Sequence, residues 1–219
     1  MMDSKNNISL QIEKIKTVFQ DSKDLAAQQN DLTILIEYLE NTDAQFRSIA
    51  YEGAAMALAL KDIEHLKDWN AFVTHADKKQ LKHLYIGLGW AFAQLNHSPI
   101  PLFEKLDPGF RFYVFDGYGY YDGLLRQRTS VKNKKLPFEF NAQQLEAYDQ
   151  GIGRSLWYTF KGEEKKIKEI VNTFSSIRHS ALWKGIGIAC AHVGGCDETK
   201  LRSLLVCAGE YQKELAILQ

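Results

Sequence analysis

Trp183-Lys184-Gly185-Ile186-Gly187 is one copy of a short pattern that recurs through this chain: an aromatic, one residue, glycine, one residue, then glycine or alanine. The other copies are Tyr51-Glu52-Gly53-Ala54-Ala55, Tyr85-Ile86-Gly87-Leu88-Gly89, Phe115-Asp116-Gly117-Tyr118-Gly119 and Asp149-Gln150-Gly151-Ile152-Gly153. In the last of these Asp149 stands where the aromatic belongs, with Tyr148 one place earlier. The first glycines fall at 53, 87, 117, 151 and 185, giving spacings of 34, 30, 34 and 34 residues. A near-constant period of this size marks one supersecondary unit repeated along the chain.

Each copy opens or interrupts a run of helix formers, such as Ala54 to Leu60, Leu88 to Leu95 and Ile186 to Val193. Upstream lies a second apolar-periodic segment. Ile34, Leu35, Tyr38 and Leu39 serve the first unit, Leu66, Trp69, Phe72 and Val73 the second, and Ile167, Ile170, Val171 and Phe174 the fifth. Spacings of three and four residues mark one face of an amphipathic helix, so each unit reads as an outer helix followed by an inner helix carrying the glycines. Pro99, Pro101, Pro108 and Gly109 break the first helix of the third unit and account for its shorter spacing. The fold this predicts is all-α: an α-solenoid-like array of helical hairpins, about five units of roughly 34 residues. Residues 1–30 form an N-terminal helical cap or extension in this reading, and residues 31–219 a single helical-repeat domain.

A glycine inside a helix costs about 0.5–1 kcal/mol relative to alanine. Repeated pairs of them call for compensation, and close approach of a neighbouring helix supplies it. A phosphate cradle is the competing reading and fails. Gly117-x-Gly119 is followed by Gly123, one residue too late for the dinucleotide fingerprint, and no strand–helix alternation surrounds any copy. The tetratricopeptide pattern, which shares the 34-residue period, is not kept.

Composition excludes several function classes. With 27 basic and 27 acidic side chains the net charge is zero, against a general nucleic-acid binder, which displaces counterions with a basic surplus. Lys132, Lys134 and Lys135 read as a solvated loop. No run reaches the roughly 18 apolar residues of a membrane span. The opening residues Met1 to Asn7 are polar, so no signal peptide and a cytoplasmic location are expected. Cys190, Cys196 and Cys207 are an odd set, which speaks against a disulfide framework. Cys190-x-His192-x3-Cys196 lacks the second ligand pair of a zinc finger, so no metal and no cofactor are expected. The chain has no Glu-x-x-His for a dinuclear iron site and no Gly-x-Ser-x-Gly for a serine nucleophile.

Polar residues set among the glycines are where chemistry could sit. Glu52, Asp116 and Asp149, with Arg154, place charge in the most apolar helices, and buried charge is costly unless paired or used. These four are the candidate catalytic or polar-contact residues, with Arg47, Arg111, Arg126 and Arg154 as available partners for the acids. Tyr51, Tyr85, Tyr118 and Trp183 are the candidate apolar lining of a ligand site. The segment Phe110 to Arg126 is unusually aromatic and reads as core or as the wall of a groove for an elongated apolar ligand.

The strings Phe46 to Met56, Tyr85 to Ala91, Phe115 to Gly119, Tyr148 to Trp157 and Leu182 to Ala189 resemble, in order and at matching spacing from about residue 30 onward, a bacterial domain of unknown function. Its members are commonly labelled enediyne biosynthesis proteins. The resemblance implies a cytoplasmic accessory protein of a biosynthetic gene cluster, of the kind that accompanies an iterative polyketide synthase making a linear polyene. It brings no established reaction and no agreed catalytic residues. The expected function is therefore an accessory role in making a polyketide-like secondary metabolite, enediyne-type or polyene, by binding or helping to modify an elongated apolar intermediate. The alternative is a non-catalytic helical-repeat scaffold that docks partner biosynthetic enzymes. Whether the chain is an enzyme is left open, and neither nucleic acid nor membrane is an expected partner.

Overall fold

A computed structural model of the chain describes residues 4–216. Helix accounts for 77% of it, and no strand occurs among the described residues, so the chain is all-α. The helices are α1 (Ser4–Gln28), α2 (Leu32–Glu40), α3 (Arg47–Lys61), α4 (Lys67–His75), α5 (Leu81–Leu95), α6 (Tyr113–Leu125), α7 (Ala142–Phe160), α8 (Glu164–Val171), α9 (Ser176–Val193), α10 (Glu198–Ala208) and α11 (Gln212–Ala216). Of the expected N-terminal extension, residues 1–3 lie outside the described residues, and Ser4–Gln28 is one helix.

Caps place the starts. Asp31 accepts from the Thr33 N–H to begin α2, and Asn141 forms a capping box with Gln144 to begin α7. Ahead of α6, where the prolines crowd, there is only a tight helical turn over Ile100–Lys105. Proline removes the backbone donor a longer helix would need.

Two kinds of helix are distinguished by burial. The short α2, α4 and α8 bury one stripe each, Leu35 with Leu39, Trp69 with Phe72, and Ile167 with Val171. Two of the glycine-bearing helices are buried on every side over most of their length: Ile49 through Ala59 on α3 and His83 through Ala93 on α5 are continuous buried runs. A helix apolar all round belongs inside a core, which is why these segments show little amphipathic period.

The chain divides into two compact units. One is Lys14–Tyr118; the other joins the chain up to Glu13 with the chain from Gly119 onward. The same packing device operates within each. Residues two apart on a helix point about 200° from one another, so the glycines of Gly-x-Gly look out of opposite flanks. In the first unit Gly87 lies against the Glu52 carbonyl of α3, and Gly89 against the Val114 carbonyl of α6. Gly117 of α6 returns the second contact, lying against the Ile86 carbonyl. In the second unit Gly185 lies against the Gln150 carbonyl and Gly153 against the Leu182 carbonyl, so α7 and α9 touch through two glycines. Gly119 meets the Tyr148 carbonyl and Gly187 the Leu215 carbonyl of α11. Where α3 carries Ala55 in place of the second glycine, its Cβ faces Gly87, so one bare Cα still serves the interface.

The first glycine thus receives the carbonyl one place before its counterpart in the preceding signature helix. The second receives the carbonyl three places before the glycine of the following one. These are the close approaches expected from sequence, and the neighbour is backbone, which cannot rotate away.

Gly87→Ala and Gly185→Ala should each destabilise by about 1–3 kcal/mol although alanine is the better helix former, because the new methyl meets a fixed carbonyl. Gly109→Ala, where the nearest atom is an Asp107 carboxylate oxygen at 3.2 Å, should stay within about 0.5 kcal/mol of the parent. Urea unfolding of the three variants checks this; equal midpoints would mean that the signature glycines are not contact points.

Candidate functional site

The polar groups of the signature helices are joined in cross-helix pairs. In the first unit, Glu52 on α3 is 1% exposed, and its carboxylate lies 2.9 Å from Nδ1 of His83 on α5. In the second, Tyr148 on α7 donates its hydroxyl proton to Asp122 on α6 at 3.0 Å. Arg126 donates to the other Asp122 oxygen at 3.1 Å. One residue along α7, Asp149 takes a two-pronged contact from Arg178 on α9: Nε donates to one oxygen at 2.8 Å and Nη2 to the other. Arg178 also lies over the Phe174 ring, 4.8 Å from its centroid. Each acid finds its partner on the next signature helix, 31, 26 and 29 residues further along. The offset is shorter than the repeat because His83, Tyr148 and Arg178 lie ahead of the signature glycines of their own helices.

Electrostatics follow from burial. Loss of water raises the Asp122 carboxyl above the usual carboxylate range, and Tyr148 and Arg126 only partly offset this. Burial likewise raises Asp149, against the pull of Arg178. The Tyr148 phenol is pushed far up, first by burial and then by the Asp122 charge, so it remains a proton donor at neutral pH. Desolvation and the bond to Glu40 do the same to Tyr51.

All eight residues singled out from sequence are inside. Tyr51, Glu52, Tyr85, Asp116 and Tyr118 belong to the first unit, and Asp149, Arg154 and Trp183 to the second. Tyr51 stacks on Phe72 with centroids 5.6 Å apart and donates to Glu40 at 2.7 Å. Tyr85 meets the Trp69 ring edge-on at 5.1 Å, and its hydroxyl accepts from the Asp107 N–H at 3.4 Å. The Arg154 guanidinium lies over Tyr120, 4.5 Å from the centroid. Asp116, Tyr118 and Arg154 each have further partners within the fold.

Sequence reasoning reached Glu52 and Asp149 but not Asp122, and of the pairing residues it named Arg126 but neither His83 nor Arg178. Arg47 pairs with Glu40 at 3.3 Å and Arg111 with Glu104 at 2.7 Å, and Arg126 serves Asp122. The cation on Asp149 is Arg178, and that beside Glu52 is His83. A search for a basic or phenolic residue 26–31 positions after each buried acid would have found all three. Among the described residues no group of three or more His, Cys, Asp or Glu is placed to hold a metal ion. None of the described helices is long and apolar enough to cross a membrane.

A second feature lies at the start of α6. Phe110, Phe112 and Tyr113 are half-buried, in contrast to the buried rings around them. Phe110 lies 5.7 Å from Tyr85 and 6.4 Å from Tyr113, Phe112 lies 5.1 Å from Phe103, and Arg111 covers the Phe103 ring at 4.1 Å. This is an aromatic edge partly open to water.

Glycine-seated helices tied by buried polar pairs define the class: an all-α protein built on one recurring helix contact. The chain belongs to the family described as a protein of unknown function (DUF1702), whose model matches residues 1–218. The match takes in the first 30 residues as well as the repeated region. No curated protein and no solved structure matches it.

Asp149→Asn should cost about 3–5 kcal/mol, since it leaves the Arg178 charge buried without its counter-charge. Pairing Asp149→Leu with Arg178→Met should cost less than the two single changes added, and a double-mutant cycle by chemical denaturation measures the difference. A second test uses pH. Because the folded Asp122 carboxyl sits above its unfolded value, it stabilises the fold fully below that unfolded value, and this contribution is lost as pH rises through the folded one. The stability advantage of wild type over Asp122→Asn should therefore shrink from pH 3 toward pH 7 in denaturant melts. An advantage growing over that range would mean that Arg126 and Tyr148 outweigh burial.

Proposed function

We propose that this protein is an accessory protein in the biosynthesis of a polyketide-like secondary metabolite, enediyne-type or polyene, and that it binds an elongated apolar intermediate. The helical-hairpin repeat array is part of this proposal: glycine-seated helices repeat along the chain and leave helix ends, not flanks, for a ligand. The observation that carries the reading is the half-open aromatic edge of Phe110, Phe112 and Tyr113, backed by Tyr85 and Phe103. Clustered aromatic rings suit a conjugated chain, which offers π-faces and no hydrogen-bonding groups. The resemblance in the signature strings supports the same metabolite class. Glu52 and Asp149 act in this reading as fixed parts of the frame, since His83 and Arg178 already occupy them.

The second reading, a non-catalytic scaffold docking partner biosynthetic enzymes, is favoured by a different observation. Ile177, Val206 and Leu125 are 85%, 73% and 63% exposed. Apolar side chains held in water are candidates for contact with another protein.

A conjugated tetraene fatty acid, whose fluorescence rises in apolar surroundings, separates the two. Titration into the full-length protein should give a saturable signal, and Phe110→Ala and Phe112→Ala should each weaken binding about tenfold, equivalent to roughly 1.4 kcal/mol. Absence of saturable binding, or equal affinity in both variants, would overturn the ligand reading and leave the scaffold.

A further inference from the structure

Cys190 stands in the last turn of α9, where it is 6% exposed, and Cys196 lies just ahead of α10, half-buried. Their sulfurs are 3.6 Å apart. The two glycines between them make this meeting geometric rather than accidental. Gly194 and Gly195 have φ of +67° and +79°, a left-handed pair that side chains with a Cβ rarely adopt. They fold the chain back so that Cys196 returns onto the helix it has just left. Asp197 then caps α10 by accepting from the Lys200 N–H at 2.8 Å. Lys200 also pairs with Glu164 of α8, and Ser203 holds the other Glu164 oxygen at 2.8 Å.

We propose that Cys190 and Cys196 form a reversible thiol–disulfide couple that reacts with small-molecule disulfides of the glutathione type. The pair is not part of the aromatic edge or of the buried ion pairs, and the inference is independent of the proposed function. No third His, Cys, Asp or Glu stands with these two among the described residues.

The order of events follows from exposure and charge. Cys196 is the less buried of the two residues. Its hydrogen bond with Cys190 and the positive charge of Lys200 lower its thiol against burial and the charges of Asp197 and Glu164. Its thiolate attacks one sulfur of the disulfide RS–SR; that S–S bond breaks, RS⁻ leaves and takes up a proton, and Cys196–S–S–R remains. Cys190 is held up chiefly by its hydrogen bond to Cys196, and then by burial. Capping Cys196 removes the first cause. Cys190 then loses its proton and attacks the Cys196 sulfur, forming the Cys190–Cys196 bond and expelling the second RS⁻. In sum, two protein thiols and RS–SR become one protein disulfide and two RSH, and the protein loses two electrons. Sulfur separation must fall from 3.6 Å to about 2.05 Å, a movement that side-chain rotation beside two glycines supplies. The closed form ties the end of α9 to the start of α10.

Reduced full-length protein equilibrated with glutathione mixtures, from fully reduced to fully oxidised, then acid-quenched, alkylated and peptide-mapped, tests this. A Cys190–Cys196 cross-linked peptide should accumulate with oxidised glutathione and vanish with dithiothreitol, with Cys207 joined to neither. In Cys190→Ser, Cys196 should instead accumulate as a glutathione mixed disulfide, because the resolving sulfur is gone. No cross-link in fully oxidised glutathione overturns the proposal, as does a mixed disulfide on Cys196 that persists in the wild-type protein. Mapping the wild type alone decides the matter if the serine variant fails to fold.

Discussion

A backbone carbonyl resting on a bare glycine Cα is the contact from which the rest of this structure follows. It brings two helix axes closer than any side chain would allow and fixes their register to the residue. With Gly185 on Gln150 and Gly153 on Leu182, α7 can neither slide along α9 nor turn against it. That register puts Asp149, the neighbour of Gln150, within reach of Arg178, which stands one turn before Leu182 on the same face of α9. Gly119 on the Tyr148 carbonyl does the same for α6 and α7. Asp122, three residues after Gly119, faces the next turn and receives the Tyr148 hydroxyl. The polar pairs are consequences of the glycine seats.

Their energetic role is correspondingly specific. A buried ion pair returns little net stability against apolar residues of the same volume, whereas breaking one leaves an uncompensated charge at a cost of several kcal/mol. A wrong register of α7 on α9 would separate Asp149 from Arg178, and one of α3 on α5 would separate Glu52 from His83. The glycines make close approach affordable in several registers, since a bare surface is permissive. The charges then exclude all but one. Permissive contact and intolerant polar pairs together specify a single packing.

The all-α class was legible because the glycine signature repeats in strong helical context. The third unit's missing helix was legible too, since Pro99, Pro101 and Pro108 leave few donors for one. The partners of Glu52 and Asp149 were not. Arg178 sits seven residues ahead of Gly185 in Ser176–Val193, a helix buried on most sides and therefore without a periodic stripe to orient it. Arginines that look available in one dimension, such as Arg47 and Arg111, are taken by Glu40 and Glu104 close by in sequence. The Cys190–Cys196 approach was hidden for another reason: it depends on two left-handed glycines, and sequence spacing alone does not report the sign of φ.

The same contact limits where function can reside. A helix whose two flanks are pressed against neighbouring backbones has little side-chain surface left to offer a ligand. Tyr51, Tyr118 and Trp183, which look like a lining when read as a repeat, are buried at 0%, 0% and 2% exposure. Freedom returns at the helix ends, where the glycine seats stop and the packing loosens. The start of α6 is such an end, and there Phe110, Phe112 and Tyr113 open partly to water. The end of α9 is another, and there Gly194 and Gly195 bring a half-buried Cys196 back onto the buried Cys190. On the proposed reading the signature residues build the frame, and chemistry is left to the residues outside the signature.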